Sequence, residues 1–216
     1  MYMKRKTILL ALVAVFQSLC LQAQELSAPM QAAYEACLQM SRAVGAGNQT
    51  GLRDAGKAYK ACDIHFFSSL RHVQGEQPSV DGHFVFTDEF VDSLIAGREV
   101  YKFARRYARN RSVRAGSSSG KILGRTCTVA QSSSVKYTFR SRDRQELAVV
   151  AEPGGTITLR IHDKTHDKWY NDKTDVKAGA PSRQAVFDLP PNENSTIELE
   201  VINTSKKDIS FIVISN

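Results

Sequence analysis

The sequence predicts an α+β protein in which a helical first part is followed by an antiparallel β-sandwich. In residues 24–110, apolar side chains recur every three or four positions, as in amphipathic helices. A Ser- and Gly-rich stretch at 111–120 predicts a linker, and after it apolar and polar residues alternate, as in half-buried strands. We therefore predict a helical hairpin plus a third helix, then a sandwich of about seven strands, jelly-roll-like, in residues 121–216.

Residues 1–23 have the order of a secretory signal peptide. Basic residues Lys4 to Lys6 precede an apolar run from Ile8 to Phe16, and the small residue Ala23 supplies a cleavage site. The run is too short to span a bilayer, although an uncleaved first helix is the alternative. We expect export to the periplasm, or to the cell surface or exterior, of a Gram-negative-type bacterium.

Composition limits the partners of the mature chain. Removing the leader takes away three of the 29 basic residues and none of the 22 acidic ones, which leaves a net charge of +4. So small an excess argues against a nucleic-acid binder, and no later segment has the apolar length of a membrane span. We expect an envelope protein, a glycan or an anionic surface as the partner.

The first helix is predicted to begin after Ser27 as the N-cap, with Pro29 in the first turn. Its apolar stripe runs to Val44, and the glycines that follow end it. A second apolar stripe begins near Thr50 and keeps helical spacing as far as Val73. The short Gly-Asn connection predicts an antiparallel hairpin of these two helices.

Two cysteines lie in the predicted hairpin, one in each helix. Cys37 and Cys62 lie at similar heights above the connection and on the apolar faces. In an oxidising compartment this placement predicts a Cys37–Cys62 disulfide. Two buried free thiols, packed as small apolar groups, are the alternative.

The third helix is predicted from Asp88 to about Arg109, with Thr87 as its N-cap. Its first turn is acidic and its last turn is basic, which complements the helix dipole. One face of such a helix carries cations that could bind an anionic glycan, a lipid headgroup or an acidic partner, and an ordinary solvated face is the alternative. These residues are Arg98, Lys102, Arg105 and Arg109.

The sandwich is predicted from short alternating runs separated by turns. The last run is apolar on both faces, which predicts a central strand or one covered by the helical half. The predicted strands are 121–129, 135–140, 146–151, 156–162, 184–189, 196–202 and 209–215.

Residues 162–175 concentrate oxygen and imidazole ligands beside the only tryptophan of the chain. Five oxygen ligands could bind calcium, although their spacing is not that of an EF-hand. His162 and His166 could instead begin a zinc site, but a third ligand is not apparent. A plain solvated loop, with Asx-turns and neutralising lysines, is the interpretation that we favour. The calcium candidates are Asp163, Asp167, Asn171, Asp172 and Asp175.

Two aromatic residues, Trp169 and Tyr170, lie in the same loop. If exposed on a β-sandwich, they could form a platform on which a sugar ring stacks. We expect instead that Trp169 is buried and anchors the loop.

The second half resembles the bacterial pre-peptidase C-terminal domain, a small β-sandwich module found on secreted enzymes. The resemblance rests on Glu152-Pro153-Gly154-Gly155 before a strand, the Asp-rich loop with Trp169-Tyr170, and the final apolar strand. It implies a non-catalytic role in folding, surface attachment or ligand binding. It covers at most about half of the mature chain, and no catalytic domain accompanies it here.

Catalytic motifs are missing from the sequence. It contains no Gly-x-Ser-x-Gly elbow, phosphate-binding loop or dinucleotide fingerprint, and we expect no cofactor unless calcium is bound. We therefore predict a non-enzymatic binding or envelope-interaction module. The alternative is a secreted hydrolase at the junction of helices and sandwich, where His83, Cys127 and the Asp-rich loop would meet.

Overall fold

The structure is a computed structural model of the 216-residue chain. It describes residues 26–108, 121–142, 144–170, 179–189 and 193–216. The predicted signal peptide and the 111–120 linker lie outside the described residues. None of the helices within the described ranges is long and apolar enough to cross a membrane.

Helix α1 spans Ala28–Gly45, as the cap and proline predicted. Ser27 occupies the N-cap position, but its hydroxyl does not bond to the helix. The Ser27 backbone N and Oγ instead donate to the Glu146 carboxylate, at 3.0 and 2.6 Å. The start of α1 is thereby held against the sheet below it.

Helix α2 spans Gln49–Ala61 and completes the predicted hairpin, with Asn48 as its N-cap. The prediction that this helix reaches Val73 is wrong. After Asp63, which has a positive φ of 46°, the chain forms two short strands, β1 (His65–Phe66) and β2 (Arg71–Gln74). Their backbone groups pair with the sandwich, so tertiary hydrogen bonds override the helical spacing.

The predicted disulfide does not form in this hairpin. Cys37, Cys62 and Cys127 are all free thiols. Cys62 lies at the C-cap of α2, where its Sγ donates to the Ala58 carbonyl at 3.2 Å, whereas Cys37 is fully buried in α1. The alternative of free thiols is therefore the one that the structure shows.

The third helix is shorter than predicted. Helix α3 spans Asp88–Ile95, with the Thr87 Oγ1 accepting a hydrogen bond from the Phe90 N. Gly97 follows with a φ of +73°, a left-handed conformation that ends the helix. The chain resumes as a 3-10 turn, Val100–Phe103, and a short helix α4, Ala104–Ala108.

The β-sandwich is confirmed, as two five-stranded sheets in which every described strand pair is antiparallel except the parallel pair of β1 with β3. The first, the covered sheet, has the order β1-β3-β10-β5-β8, and the second, the open sheet, has the order β2-β4-β9-β6-β7. Eight strands lie in the described residues after 121, one more than predicted, because part of the Asp-rich segment forms β7. They are β3 (Leu123–Val129), β4 (Ser134–Arg142), β5 (Arg144–Ala151), β6 (Ile157–Asp163), β7 (Lys168–Tyr170), β8 (Ser182–Asp188), β9 (Asn194–Asn203) and β10 (Ile209–Ser215).

Pairing among these eight strands is nested. The first pairs with the last (β3 with β10), and the next pairs inward are β4 with β9, β5 with β8 and β6 with β7. Successive pairs belong to opposite sheets, so the chain is folded in half and then rolled. The innermost pair, β6 and β7, is thereby placed at one edge of the open sheet.

Two apolar cores result from this arrangement. One fills the space between the sheets and includes Tyr137, Phe211 and Val213. The other lies between the helices and the outer face of the covered sheet, where Ile212 and Ile214 contribute. Strand β10 is therefore buried on both faces, as its continuous apolar run predicted.

Candidate functional site

The outer face of the open sheet is polar along its length. On β6, Thr158 and His162 are partly buried and Arg160 is exposed, while the residues between them point into the core. Cross-strand partners on β9 are Glu200 opposite Arg160 and Glu198 opposite His162. This face therefore presents hydrogen-bonding groups of both charges to solvent.

Trp169 stands at the edge of this face and is 53% exposed. Our expectation that it is buried is wrong, because β7 is an edge strand and Trp169 pairs with His162 on the outward side. The indole and imidazole rings are stacked, with centroids 4.2 Å apart and planes within 2° of parallel. We call this pair of rings the aromatic platform.

The His162 ring is fixed from a second direction. Its Nε2 lies 2.9 Å from the Oδ1 of Asp167, a residue with a φ of +49° in the turn between β6 and β7. The imidazole side chain is only 17% exposed. The platform therefore has one ring held by a hydrogen bond and a second, more exposed ring stacked on it.

Tyr170, the other predicted platform residue, points elsewhere. Its ring lies 5.1 Å from that of Phe187 against the inter-sheet core, and its hydroxyl donates to the Asp188 carbonyl at 3.3 Å. The Lys168 ammonium lies 4.7 Å from its centroid. Tyr170 thus anchors the edge strand, which is the role expected of Trp169.

Asp163, the first predicted calcium ligand, is 1% exposed and already engaged. Its carboxylate accepts hydrogen bonds from the Thr165 N at 2.9 Å and the His166 N at 3.3 Å, and contacts the His166 Nδ1 at 2.7 Å. Burial alone would raise the pKa of Asp163, but the hydrogen bonds, led by that of His166, lower it. This carboxylate serves as the centre of an Asx-turn.

His166 is engaged on both ring nitrogens, because its Nε2 lies 2.6 Å from the Glu193 Oε2. Its hydrogen bonds to Asp163 and Glu193 raise its pKa. Both ring nitrogens of His166 and the Nε2 of His162 are therefore occupied in this arrangement and are not available to zinc. In the ranges that the structure describes, no group of three or more His, Cys, Asp or Glu residues could hold a metal ion. Asn171, Asp172 and Asp175 lie outside those ranges.

The predicted basic face does not lie on one helix, because Gly97 interrupts it. Arg98 lies in the turn, and Lys102 donates to Glu99 at 2.7 Å within the 3-10 segment. In α4, the Arg105 Nη2 donates to the Ser79 Oγ at 2.9 Å and lies 3.3 Å from the Asp81 Oδ2. Arg109 lies outside the described residues.

The residues of the hydrolase alternative do not meet. Cys127 faces the inter-sheet core, where burial raises its pKa to about 11 and keeps it a thiol. His83 lies at one end of the covered sheet instead, with its Nδ1 3.0 Å from the Glu152 Oε1. The described part of the Asp-rich segment, residues 162–170, belongs to the open sheet.

Sequence reasoning missed two partnerships. The His162–Trp169 stack depends on the pairing of β6 with β7. The sequence does not predict this pairing, because it favours one loop over residues 162–175. The His83–Glu152 pair joins residues 69 positions apart. A signal for it was present, since Glu152 directly follows the apolar run of β5 and was bound to be partly buried there.

Comparisons with known proteins identify no family. No family model matches the chain, and no curated protein sequence matches it. Among solved structures, it is similar to the pre-peptidase C-terminal domain of a Bacillus anthracis collagenase, at 15% identity and a TM-score of 0.26 over 46% of this chain and 80% of that one. That is the class of module which the sequence resembles.

Two further similar structures are binding proteins by their descriptions. A periplasmic inhibitor of g-type lysozyme from Salmonella Typhimurium matches at 14% identity and a TM-score of 0.30, over 48% of this chain and 93% of that one. A family 29 carbohydrate-binding module matches at 10% identity and a TM-score of 0.26, over 43% of this chain and 70% of that one. At these identities and scores the matches establish neither a ligand nor a partner for this chain.

Proposed function

We propose that the mature protein is an exported, non-enzymatic binding module whose ligand is an uncharged glycan. The observation that carries this proposal is the exposed Trp169 stacked on His162 at the edge of the open sheet. One indole face lies against the imidazole, so the exposed part of the side chain includes its other face. A sugar ring presents a flat patch of C–H groups that suits such a surface.

The platform is prepared before a ligand arrives. Asp167 holds the His162 ring, and the antiparallel pairing of β6 with β7 fixes the backbone of Trp169. A ligand that stacks on a ring already in place does not have to immobilise it, and that entropy cost is saved. This ready-made geometry supports a binding role for the Trp169 side chain.

Charges beside the platform favour an uncharged ligand. Glu198, opposite His162, lies 3.5 Å from the Lys136 Nζ and 3.3 Å from the Lys164 Nζ. Arg160 and Glu200 are 3.6 Å apart in the adjacent row. These charged groups are already paired with one another, and sugar hydroxyls, which both donate and accept hydrogen bonds, fit such mixed groups.

The binding test uses the single tryptophan of the chain as its reporter. We would titrate the mature protein with neutral cello-, xylo- and manno-oligosaccharides and with peptidoglycan fragments. Stacking should shift the Trp169 emission to shorter wavelength and protect it from acrylamide quenching. Calorimetry with the same ligand should show that Trp169→Ala weakens binding by about tenfold or more.

Phe103→Ala is the matched control. Phe103 is also an exposed aromatic residue, at 49%, and lies in the 3-10 segment beneath the Arg106 guanidinium. If both variants bind as the parent does, or both lose binding equally, the platform is not the site. Binding only by a purified envelope protein, with no response to any sugar, would replace the glycan by a protein partner.

Export is tested separately. The full chain would be expressed in a Gram-negative host, and the mass of the intact protein in each cell fraction would be measured. Cleavage after Ala23 and recovery from the periplasm or medium is the expected result. A full-length mass confined to the cytoplasm would contradict export without affecting the binding proposal.

A further inference from the structure

A second site, unrelated to the platform, lies at one end of the covered sheet. A shallow pocket of about 470 Å³ is formed there by four parts of the chain. They are Gly82 and His83 before the apolar run, Gln131 in the turn between β3 and β4, Glu152 just after β5, and Lys206 to Asp208 in the turn between β9 and β10. The helical and sandwich parts of the chain therefore both contribute to this pocket.

Glu152 forms the buried side of the pocket, with its side chain 7% exposed. Its carboxylate accepts hydrogen bonds from the Phe84 N at 3.0 Å and the Ser210 Oγ at 3.1 Å, as well as contacting His83. The Lys207 Nζ is 3.6 Å away. Burial alone would raise the pKa of Glu152, but these hydrogen bonds, led by His83, lower it, so the group is an ion with its acceptor sites occupied.

The His83 imidazole is held by one nitrogen only. Its Nδ1 lies 3.0 and 3.2 Å from the two Glu152 oxygens, while within the described residues Nε2 has no hydrogen-bond partner. The ring lines the pocket and its side chain is 18% exposed. The hydrogen bond to Glu152 raises the pKa of His83, which favours an imidazolium whose Nε2–H needs an acceptor.

Other charged groups around the ring decide what that acceptor is. Lys206 and Lys207 flank the pocket, and Asp208 uses its Oδ1 to accept a hydrogen bond from the Gln131 N. Burial, and after it the nearby Glu152 charge, raise the pKa of Tyr101 in the 3-10 segment, so this side chain stays a neutral phenol. The pocket is lined by three cations, His83, Lys206 and Lys207, and by two carboxylates, Glu152 and Asp208. Because the Glu152 oxygens already accept hydrogen bonds, the pocket has an excess of positive charge.

We propose that this pocket binds a small oxyanion group, a carboxylate, sulfate or phosphate, on the His83 Nε2–H with Lys206 and Lys207 as flanking cations. An oxyanion accepts several charge-assisted hydrogen bonds at once, which suits the His83 Nε2–H and the Lys206 and Lys207 side chains that line the same pocket, where the Lys207 Nζ also donates to the Pro153 carbonyl at 3.2 Å. The shallow opening admits the anionic end of a larger molecule. The module would then bind one ligand at two separate sites, the aromatic platform and this pocket, or bind two different ligands.

The test is an NMR titration of the folded, full mature chain, which contains all five histidines. Sodium sulfate, glucuronate and glycerol phosphate would be added at pH 6 and constant ionic strength. We expect saturable shifts of the His83 imidazole resonances, identified as those absent in His83→Gln. Glucuronate as the tightest probe would point to an acidic sugar, and glycerol phosphate to a lipid headgroup.

Binding should depend on pH and on the flanking lysines. Because the anion needs the imidazolium, affinity should fall about tenfold or more from pH 6 to pH 8.5, and a bound anion should in turn raise the His83 pKa. Lys206→Ala, at an exposed position that keeps the fold, should weaken binding about threefold or more. His72→Gln, at an exposed histidine of β2, is the control and should change nothing.

Two results would overturn the proposal. One is no saturable shift of any His83 resonance up to about 50 mM of each anion, a range that covers even very weak sites. The other is a shift that Lys206→Ala leaves unchanged in affinity, or that all five histidines show equally. If His83→Gln fails to fold, the His83 resonances are assigned through the backbone of the parent chain, so both results stay readable, and neither bears on the Trp169 experiment.

Discussion

The two sheets of the sandwich share one core but differ in what covers their outer faces. In the covered sheet, β10 is buried on both faces, because α1 packs on its outer side. In the open sheet, β6 and β9 alternate between buried and partly exposed residues. The covered sheet therefore joins the helices to the sandwich through an apolar interface, whereas the open sheet leaves its polar outer face in contact with solvent.

The same contrast appears in the charged residues. Two glutamates, Glu146 in β5 and Glu152 just after it, are buried and fasten the helical part, Glu146 through Ser27 and Glu152 through His83 and Phe84. On the open sheet, Glu198 and Glu200 pair with lysine and arginine side chains that reach into solvent. Five predictions test this contrast.

The largest effect is expected from removing the helical part. A fragment of residues 121–216 would uncover Ile212 and Ile214 on the covered sheet, and it would lack β1 and β2. An exposed apolar face of this kind favours aggregation. We expect insoluble or self-associated protein that binds a hydrophobic dye, as judged by size-exclusion chromatography and fluorescence.

The full mature chain is the control for this fragment. A monomeric fragment with a cooperative melt would show that residues 121–216 fold as an independent domain, as the linker at 111–120 predicts from the sequence. The helices would then pack on the covered sheet without being needed for the sandwich to fold.

A matched pair of isoleucines comes next. Ile212→Ala removes a side chain that is 1% exposed between α1 and the covered sheet, and should lower the free energy of unfolding by about 2–5 kcal/mol. Ile202→Ala, on the partly exposed outer face of the open sheet, should cost less than about 1 kcal/mol. Denaturant unfolding of both variants measures the difference, and equal losses would contradict it.

The buried ion pair gives the third prediction. Glu152→Gln breaks the pair with His83 and should cost about 3 kcal/mol, because the remaining charge stays partly buried. Glu198→Gln, its counterpart on the open sheet, should cost about 1 kcal/mol or less, since its lysine partners are solvated. Similar losses in thermal or denaturant unfolding would remove the contrast between the sheets.

The Glu152–His83 pair also makes the free energy of unfolding depend on pH. The lowered pKa of Glu152 adds stability above about pH 4.3 that is lost as pH falls through the folded-state pKa. The raised pKa of His83 adds stability that is complete below about pH 6.5 and is lost as pH rises through the folded-state pKa. The parent minus Glu152→Gln difference in unfolding free energy should therefore be largest between about pH 4.3 and 6.5, and a flat difference would refute the coupling.

Trp169→Ala should have the smallest effect on stability. The indole is half exposed on an edge strand, so losing its stack on His162 should cost about 1 kcal/mol or less. The measurement is the melting temperature beside the binding assay. A loss of several kcal/mol would make Trp169 a structural anchor and weaken the argument that it is kept for a ligand.

Local signals were sufficient for much of the fold. The cap at Ser27 and the glycines after Val44 bound α1 correctly, and the alternating runs located seven of the strands in the described part of the sandwich. They failed where distant parts of the chain supply the hydrogen bonds. Phe67 and Leu70 continue a helical spacing, yet they enter the inter-sheet core because the segment before them pairs with β3.

The candidate site shows the same division. The sequence pointed to Trp169 as an aromatic residue in a polar segment, but exposure depends on which strand lies at the edge. Likewise the cations from Arg98 to Arg109 have helical spacing, and the positive φ of Gly97 places them on separate elements.

The sequence by itself determined the α+β class, the order of helices before strands, and the burial of the last strand on both faces, because hydrophobic spacing and turn residues act locally. Only the tertiary structure decided that β1 and β2 join the sheets, that His162 stacks on Trp169, and that His83 meets Glu152. These contacts join residues that are far apart in the chain or lie across a turn. Their partners are chosen by strand pairing and shared burial, which no local pattern encodes.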